Sequence, residues 1–429
     1  MLRQIEGSQA VAETVAMCRP EVICAYPISP QTHIVEALSR LVKSGRLAPC
    51  EYVNVESEFA ALSACIGASA AGARAYTATA SQGLLYMAEA LYNASGLGLP
   101  IVMTVANRAI GAPINIWNDH SDALSQRDSG WLQLYAEDNQ EAADLHIQAF
   151  RVAEELSLPV MVCMDGFVLT HAYERVDLPA QERVDAFLPP YEPRQVLDPA
   201  DPASIGAMVG PEAFTEVRYL AHLRHLRALE LIPAVAAGFA AAFGRESGGL
   251  VGAHRLDDAE TVVVAMGSVL GTVKDVVDER RAHGERLGVL GIKTFRPFPS
   301  AEVRRALRGA RRVIVLERHL ALGAGGVVTA DVRAALDGLG TAGEAAPYLR
   351  TVIAGLGGRP VTKDSLHDLF ARAAADRLEP LTFLDLREDL VERELARERA
   401  ARRSGATAEN LLRDLAAEAA GAAEAAGGN

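Results

Sequence analysis

Residues 74–106, RAYTATASQGLLYMAEALYNASGLGLPIVMTVA, decide the fold class. Arg74–Thr79 and Pro100–Ala106 are short apolar runs that read as strands, and Gln82–Ser95 between them has helical spacing. A strand, a helix of ten or more residues and a second strand give a parallel pair, because a crossover of that length cannot be a tight hairpin. The same alternation continues outward. Upstream lie a strand at Glu21–Tyr26 (EVICAY), a helix at Gln31–Val42, a strand at Glu51–Val55 and a small-residue helix at Ser57–Ala71. Downstream, after a polar loop, come a helix at Asn139–Leu156 and a strand at Leu158–Met164. The near-continuous apolar strands predict a parallel sheet covered on both faces.

The pattern breaks near Asp177. Seven prolines fall between Pro179 and Pro211, which reads as a crossing linker. A helix at Phe214–Phe243 follows, placed either on the outside of a domain or in a subunit interface. A second α/β pattern starts at Thr261 (TVVVAMGS) and continues through Leu287–Ile292, Arg312–Glu317 and Arg350–Ala354. Beyond it, Leu386–Arg403 mixes both charge signs, as expected of a surface helix with a frayed tail. The expected fold is α/β, with two parallel-sheet domains and a helical C-terminal tail. The expected divisions are 1–176, a linker with a helical segment at 177–251, a second domain at 252–375 and the tail at 376–429.

Composition narrows the function. A chain of 429 residues with a net charge of -13 has length for two or three domains and too little positive charge to displace phosphate counterions. No nucleic-acid partner is expected. No uninterrupted apolar run reaches eighteen residues, so no membrane span is expected. The first residues, MLRQIEGSQAVAETVAM, do not read as a signal peptide. Cys18, Cys24, Cys50, Cys65 and Cys163 include no C-x-x-C pair, so neither a disulfide framework nor a self-contained metal or cluster site is expected. These features predict a cytoplasmic protein.

Three stretches carry candidate chemistry. In Ala25–Thr32 (AYPISPQT), two prolines hold the Ser29 hydroxyl just past a strand's carboxyl end, where ligands bind in open α/β sheets. Ser29 equally suits the cap of the following helix. In Val53–Ala60 (VNVESEFA), Ser57 can cap a helix whose first turn carries Glu56 and Glu58. The helix dipole favours carboxylates there, and a Glu can also hold a proton for a bound heterocycle. In Val105–Gln126 (VANRAIGAPINIWNDHSDALSQ), a strand releases Arg108 into a long loop with Trp117, Asp119, His120 and Asp122. Arg108 can fork onto a carboxylate or form a surface ion pair. The three acid and histidine side chains read as a hydrogen-bonded loop network, and no metal is expected. Leu322–Gly326 (LGAGG) and Gly355–Arg359 (GLGGR) lack the full dinucleotide fingerprint, so they read as turns.

With these blocks the chain resembles the alpha subunit of pyruvate:ferredoxin oxidoreductase and related 2-oxoacid:acceptor oxidoreductases. The resemblance runs over about residues 10–370. It rests on AYPISPQT, VNVESEFAALSACIGASAAGA, TATASQG, VANRAIGAPINIWNDHSDALSQRDSGW, YAEDNQEA, PVMVCMDGF, GIKTFRPFP, GAGGVV and IAGLGGRPVT, in that order. It implies a thiamine pyrimidine-binding domain followed by a transketolase C-terminal-like domain. Thiamine diphosphate would be shared with a beta subunit that holds the diphosphate, its Mg²⁺ and a [4Fe-4S] cluster. Gamma and ferredoxin-like delta subunits would carry further clusters and a coenzyme A-related domain, with ferredoxin or another acceptor taking the electrons. Coenzyme A would be the co-substrate.

The resemblance also assigns residues. The family's Glu falls on Glu58, which would hydrogen-bond N1′ of the aminopyrimidine and so promote deprotonation at thiazolium C2. Its Arg falls on Arg108, which would bind the 2-oxoacid carboxylate. Its Y-P-I-T-P segment places Pro27 and Ile28 at the cofactor and substitutes Ser29 for the usual Thr. That substitution keeps the hydroxyl and removes one methyl, which bears on substrate identity rather than reaction class. The implied reaction is oxidative decarboxylation of a 2-oxoacid to acyl-CoA and CO2, with pyruvate as the leading substrate. The alternatives are 2-oxoisovalerate or phenylglyoxylate as substrate, or a non-catalytic assembly subunit.

Overall fold

The structure is a computed structural model, and it describes residues 2–338 and 346–427. The chain divides into two compact units, Met1–Thr382 and Phe383–Asn429.

In chain order, the first part of the larger unit contains strands β1 (Leu2–Glu6), β2 (Val22–Ala25), β3 (Glu51–Asn54) and β4 (Ala75–Thr79). It continues with β5 (Val102–Asn107), β6 (Leu132–Tyr135), β7 (Val160–Asp165) and β8 (Tyr173–Asp177). The second part contains β9 (Val251–His254), β10 (Thr261–Ala265), β11 (Leu287–Ile292), β12 (Thr294–Arg296), β13 (Arg312–Glu317) and β14 (Tyr348–Ile353). The first sheet has seven strands in the order β12–β6–β7–β5–β4–β2–β3, and all of its pairings except β12 on β6 are parallel. Within this unit the second sheet runs β14–β13–β10–β11–β9, parallel except for β9.

The sequence-predicted strands of the first sheet fall within two residues of the observed ones at each end. The helix expected at Gln82–Ser95 is two helices, Ser81–Tyr86 and Ala88–Leu97, with Met87 between them outside helical geometry. Two strands came from segments read as loop or motif. β6 sits beside β7, and β12 crosses from the second domain onto β6, pairing Thr294 with Leu134. The GIKTFRPFP block is therefore a seam between the domains. Tyr135 N donates to Lys293 O at 2.8 Å, and Lys293 Nζ pairs with Glu141 at 2.6 Å.

Two core layers flank the first sheet. One joins Val11, Leu38 and Phe150 to Val235 and Phe239. The other runs from Leu62, Met103 and Trp131 through Phe295 into Val264 and Val315 of the second sheet. Burial of each such side chain is worth about 1.5–3 kcal/mol, so a shared apolar layer holds the two sheets as one body.

The helix Phe214–Phe243 buries Ala228, Ile232, Val235, Phe239 and Phe243, a stripe at helical spacing. This half packs on the helix Asn139–Leu156, and the Phe187 ring meets Phe239 edge-on at 5.7 Å. Of the two placements the sequence allowed, the outside of the first domain is the one seen for this half. The other half exposes Phe214, Val217, Tyr219 and Leu220. Among the described residues it is the one helix long and apolar enough to cross a membrane by length and composition. Arg227 and Glu230 interrupt its apolar sequence, so it holds no uninterrupted run of eighteen.

The smaller unit is not a single helix with a frayed end. It holds two helices, Glu388–Ala400 and Thr407–Gly427. Arg397 pairs with Asp414, Arg387 meets Glu418 at 3.0 Å, and Asn410 Nδ2 donates to the buried Glu394 at 2.9 Å. The mixed charges that read as a solvated face are in part cross-helix partners.

Candidate functional site at the carboxyl ends of the first sheet

The strands β2, β3, β4 and β5 all release their chains at one edge of the sheet, and the predicted residues gather there. Ser57 caps the helix Glu58–Ala70, accepting from Ala60 N at 3.2 Å. The cap places Glu58 in the first turn, where the positive helix end favours its carboxylate. Glu58 is buried while Glu56 is exposed. Among the described residues the Glu58 carboxylate has no hydrogen-bond partner.

The space around it is kept open by a glycine. A Cβ at Gly83 would lie 2.7 Å from Glu58 Oε1 and 2.5 Å from Thr79 Oγ1. The Thr79 hydroxyl is itself buried without a partner. Buried polar groups are normally satisfied, so this pair offers open positions to a hydrogen-bonding ligand. Nothing in the local sequence pattern marked Gly83 or Thr79; the TATASQG block holds both.

Arg108 follows β5 and is 6 % exposed. Its Nη1 donates to Ser29 O at 2.8 Å and its Nε to Asn115 O at 3.1 Å. Among the described residues it makes no ion pair. Burial lowers its pKa, and the nearby Asp122 charge partly opposes that. Five guanidinium N–H groups less these two leave three, all on Nη1 and Nη2, for an incoming acceptor. The surface ion pair allowed by the sequence is not what forms.

Ser29 does not cap the next helix. That helix starts at Thr32 after Gln31 and has no side-chain cap. Gln31 instead reaches across to donate to Ala78 O at 2.5 Å, tying the turn to β4. Ser29 is left exposed at the mouth beside Pro27 and the half-buried Ile28.

The helix Ser81–Tyr86 joins the two halves of the site. Its Gly83 shapes the Glu58 niche, while Ser81 Oγ donates to Ala109 O at 2.5 Å. Asp122 locks the same joint. It accepts from Ser81 N, Arg108 N, Asn107 Nδ2 and Ala123 N at 2.8–2.9 Å. Burial pushes the Asp122 carboxyl up to about 6, against the pull of those four donors.

The expected loop network is present. Asp119 accepts from Ser121 N at 2.9 Å and Gly357 N at 3.0 Å. His120 Nε2 meets Asp165 at 2.8 Å. Asp165 ends β7, opposite Asn107 in register. It also accepts from Arg318 Nη1 at 2.9 Å, from Ser268 N at 2.9 Å and from the Ser268 hydroxyl. Burial alone would raise the Asp165 pKa; Arg318, His120 and Ser268 hold it far below the usual carboxylate range. Sequence reasoning missed Asp165, Arg318 and Ser268, because their pairing depends on the docking of the two domains.

The two glycine-rich turns are also accounted for. Glu317 fills the helix N-terminus behind LGAGG, accepting from Val328 N at 2.9 Å and Thr329 N at 2.8 Å. Its own carboxylate occupies the anion position. GLGGR instead contacts the Arg108 loop, where Asn115 Nδ2 donates to Gly357 O at 3.1 Å.

Comparison with known proteins gives the family. Residues 13–235 match the family described as pyruvate flavodoxin/ferredoxin oxidoreductase, thiamine diP-bdg, and residues 259–366 match pyruvate:ferredoxin oxidoreductase core domain II. The chain belongs to the pyruvate:ferredoxin oxidoreductase family. Over 394 residues it is 50% identical to the pyruvate synthase subunit PorA of Methanosarcina barkeri, covering 90% of this chain and 97% of that one. The ketoisovalerate oxidoreductase subunit VorA of Pyrococcus abyssi is 42% identical over 359 residues, covering 83% and 90%. The family membership makes this chain part of a thiamine diphosphate-dependent 2-oxoacid:ferredoxin oxidoreductase, a multi-subunit enzyme. The fold is shared with a 2-oxoglutarate:ferredoxin oxidoreductase from Magnetococcus marinus, at a TM-score of 0.65 and 19% identity over 88% of this chain and 65% of that one. The GLGGR turn, the β12 seam and the Asp165 cluster all lie in or against the part matched to core domain II.

Proposed function

We propose that this chain is the catalytic alpha subunit of an enzyme that converts pyruvate and coenzyme A to acetyl-CoA and CO2, passing two electrons to iron–sulfur clusters in partner subunits. One observation carries the reading. A buried, unpartnered carboxylate and a buried guanidinium with three uncommitted N–H groups share one mouth, joined by the helix Ser81–Tyr86. Thiamine diphosphate, when bound, supplies the electron sink for decarboxylation. Glu58 is suited to share a proton with its pyrimidine ring nitrogen, because that nitrogen, when it carries the proton, can donate to the buried carboxylate beside Thr79 and Gly83. Arg108 binds the oxoacid carboxylate through Nη1 and Nη2. The Ser29 hydroxyl is the substrate's second contact, and Pro27 and Ile28 line the cofactor side.

The partners follow from what this chain lacks and exposes. It has no cysteine cluster and no diphosphate-binding G-D-G…N segment. Mg²⁺, the diphosphate and a [4Fe-4S] cluster are therefore assigned to a beta subunit, with gamma and delta subunits leading to ferredoxin. Tyr26, Val53, Ile114, Trp117 and Val168 are exposed on or just after β2, β3, β5 and β7. Apolar exposure of this kind supports a subunit interface there. The five cysteines are free thiols, which supports a cytoplasmic enzyme.

A second substrate, 2-oxoisovalerate, is favoured by the VorA relative and by the room left at Ser29. A panel of 2-oxoacids on the co-purifying complex separates the two, read as thiamine-dependent dye reduction with and without coenzyme A. Coenzyme A-dependent reduction with pyruvate ahead of 2-oxoisovalerate is the expected result. The reverse order moves the substrate. No reduction by any oxoacid, with cofactor and clusters present, refutes the catalytic role and favours an assembly subunit.

A further inference from the structure

We propose that Asn115 is a positioning residue, through which the second α/β domain aims the Arg108 guanidinium at the substrate carboxylate. This rests on Arg108 being the carboxylate ligand.

The contacts form one chain. Arg108 Nε donates to the Asn115 carbonyl at 3.1 Å. The Asn115 side chain is fixed at both ends. Its Nδ2 donates to Gly357 O at 3.1 Å, and its Oδ1 accepts from Trp117 N at 2.7 Å. A backbone N–H on one end and a backbone carbonyl on the other leave a single orientation for the amide. Gly357 N closes the contact by donating to Asp119 at 3.0 Å.

The turn is shaped for this loop. Gly357 and Gly358 both adopt positive φ, 57° and 82°. A Cβ on Gly357 would stand 2.5 Å from Asn115 Nδ2, and one on Gly358 2.4 Å from Trp117 Cβ. Two adjacent positions that only glycine fits, each facing the same loop, make the 355–358 turn a socket. Asn115, held in the socket, is the residue whose carbonyl holds Nε and so leaves Nη1 and Nη2 facing the mouth.

Geometry of this kind acts on substrate binding. Misplacing a carboxylate ligand by about 1 Å costs on the order of a hundred-fold at most, and a tether that only aims the ligand costs less. The test is steady-state kinetics of the assembled complex carrying Asn115→Ala, Gly357→Ala or Arg108→Ala, and each of the first two combined with Arg108→Ala. Each of the first two should raise KM for the 2-oxoacid about ten-fold, with kcat within about three-fold and KM for coenzyme A unchanged. On the Arg108→Ala background neither should raise it further, because the group they aim is gone. Gly357→Ala lies in the other domain and serves as the second variant where Asn115→Ala does not assemble. An unchanged KM in both, or the same rise with and without Arg108, overturns the proposal. If Arg108→Ala itself leaves KM unchanged, the reading of the site fails instead.

Discussion

Arg108 Nη1 donates to the carbonyl of Ser29 at 2.8 Å, across 79 residues of sequence. The contact joins the ends of β2 and β5 and makes one site from two motifs. It also orders the turn that presents the Ser29 hydroxyl. If Arg108 binds the oxoacid carboxylate as proposed, replacing it with Ala removes a charge-assisted contact to substrate together with that brace. KM for the oxoacid should rise about 30- to 150-fold, corresponding to roughly 2–3 kcal/mol. Thiamine diphosphate affinity should fall far less. Parallel titrations of both ligands check this; equal loss of both would mark Arg108 as merely structural.

Gly83 should behave as part of the Glu58 niche. Gly83→Ala forces a methyl to within 2.7 Å of Glu58 Oε1. The carboxylate must turn away, so cofactor affinity and turnover should fall while the complex still assembles. Cofactor titration and size-exclusion chromatography measure the two separately.

Asp122 gives the site a pH dependence. Its carboxyl is pushed up to about 6 by burial, against four N–H donors. Protonation below that value places a hydrogen among those donors and loosens Arg108 N. KM for the oxoacid should rise roughly three- to ten-fold as pH falls from 7 to 5. The effect on stability has the opposite sign. A raised folded pKa favours the folded state fully below about 3.8, and that benefit is lost as pH rises through about 6. KM measured against pH, in wild type and in Asp122→Asn, checks the prediction; the variant should be flat over this window.

His146 acts on the fold rather than on the site. Its Nδ1 donates to Ala142 O at 2.6 Å, and its Nε2 accepts from Thr104, whose hydroxyl in turn meets Tyr76 at 2.6 Å. Burial lowers its pKa to about 4. The unfolded ring binds a proton near 6.5 and the folded one does not, so stability is full above 6.5 and lost as pH falls towards 4. The loss is about 3 kcal/mol at most. His146→Gln should lower the melting temperature at pH 7 but show a smaller further drop between pH 6.5 and 4.5, as thermal scans across that range would show.

The strands were legible because each is a short apolar run between helices, as at Val102–Asn107. Glu58, Arg108 and Ser29 could be singled out as candidates because each follows a strand end within a recognisable block. β12 was not, since Thr294 pairs with Leu134 and no local pattern encodes a partner so distant. The same holds for Asp165 with Arg318, 153 residues apart, and Asn115 with Gly357, 242 apart. Their residue types fit many surroundings, and only the docking of the two sheets selects these.

On the proposed function, the Glu58 carboxylate activates the bound cofactor. Exchange of the thiazolium C2 hydrogen with deuterium oxide, followed by quenched NMR on the cofactor-loaded complex, measures that step without turnover. Glu58→Gln should bind thiamine diphosphate stoichiometrically and slow the exchange at least about a hundred-fold. Exchange at the wild-type rate in a fully loaded Glu58→Gln complex would contradict the account.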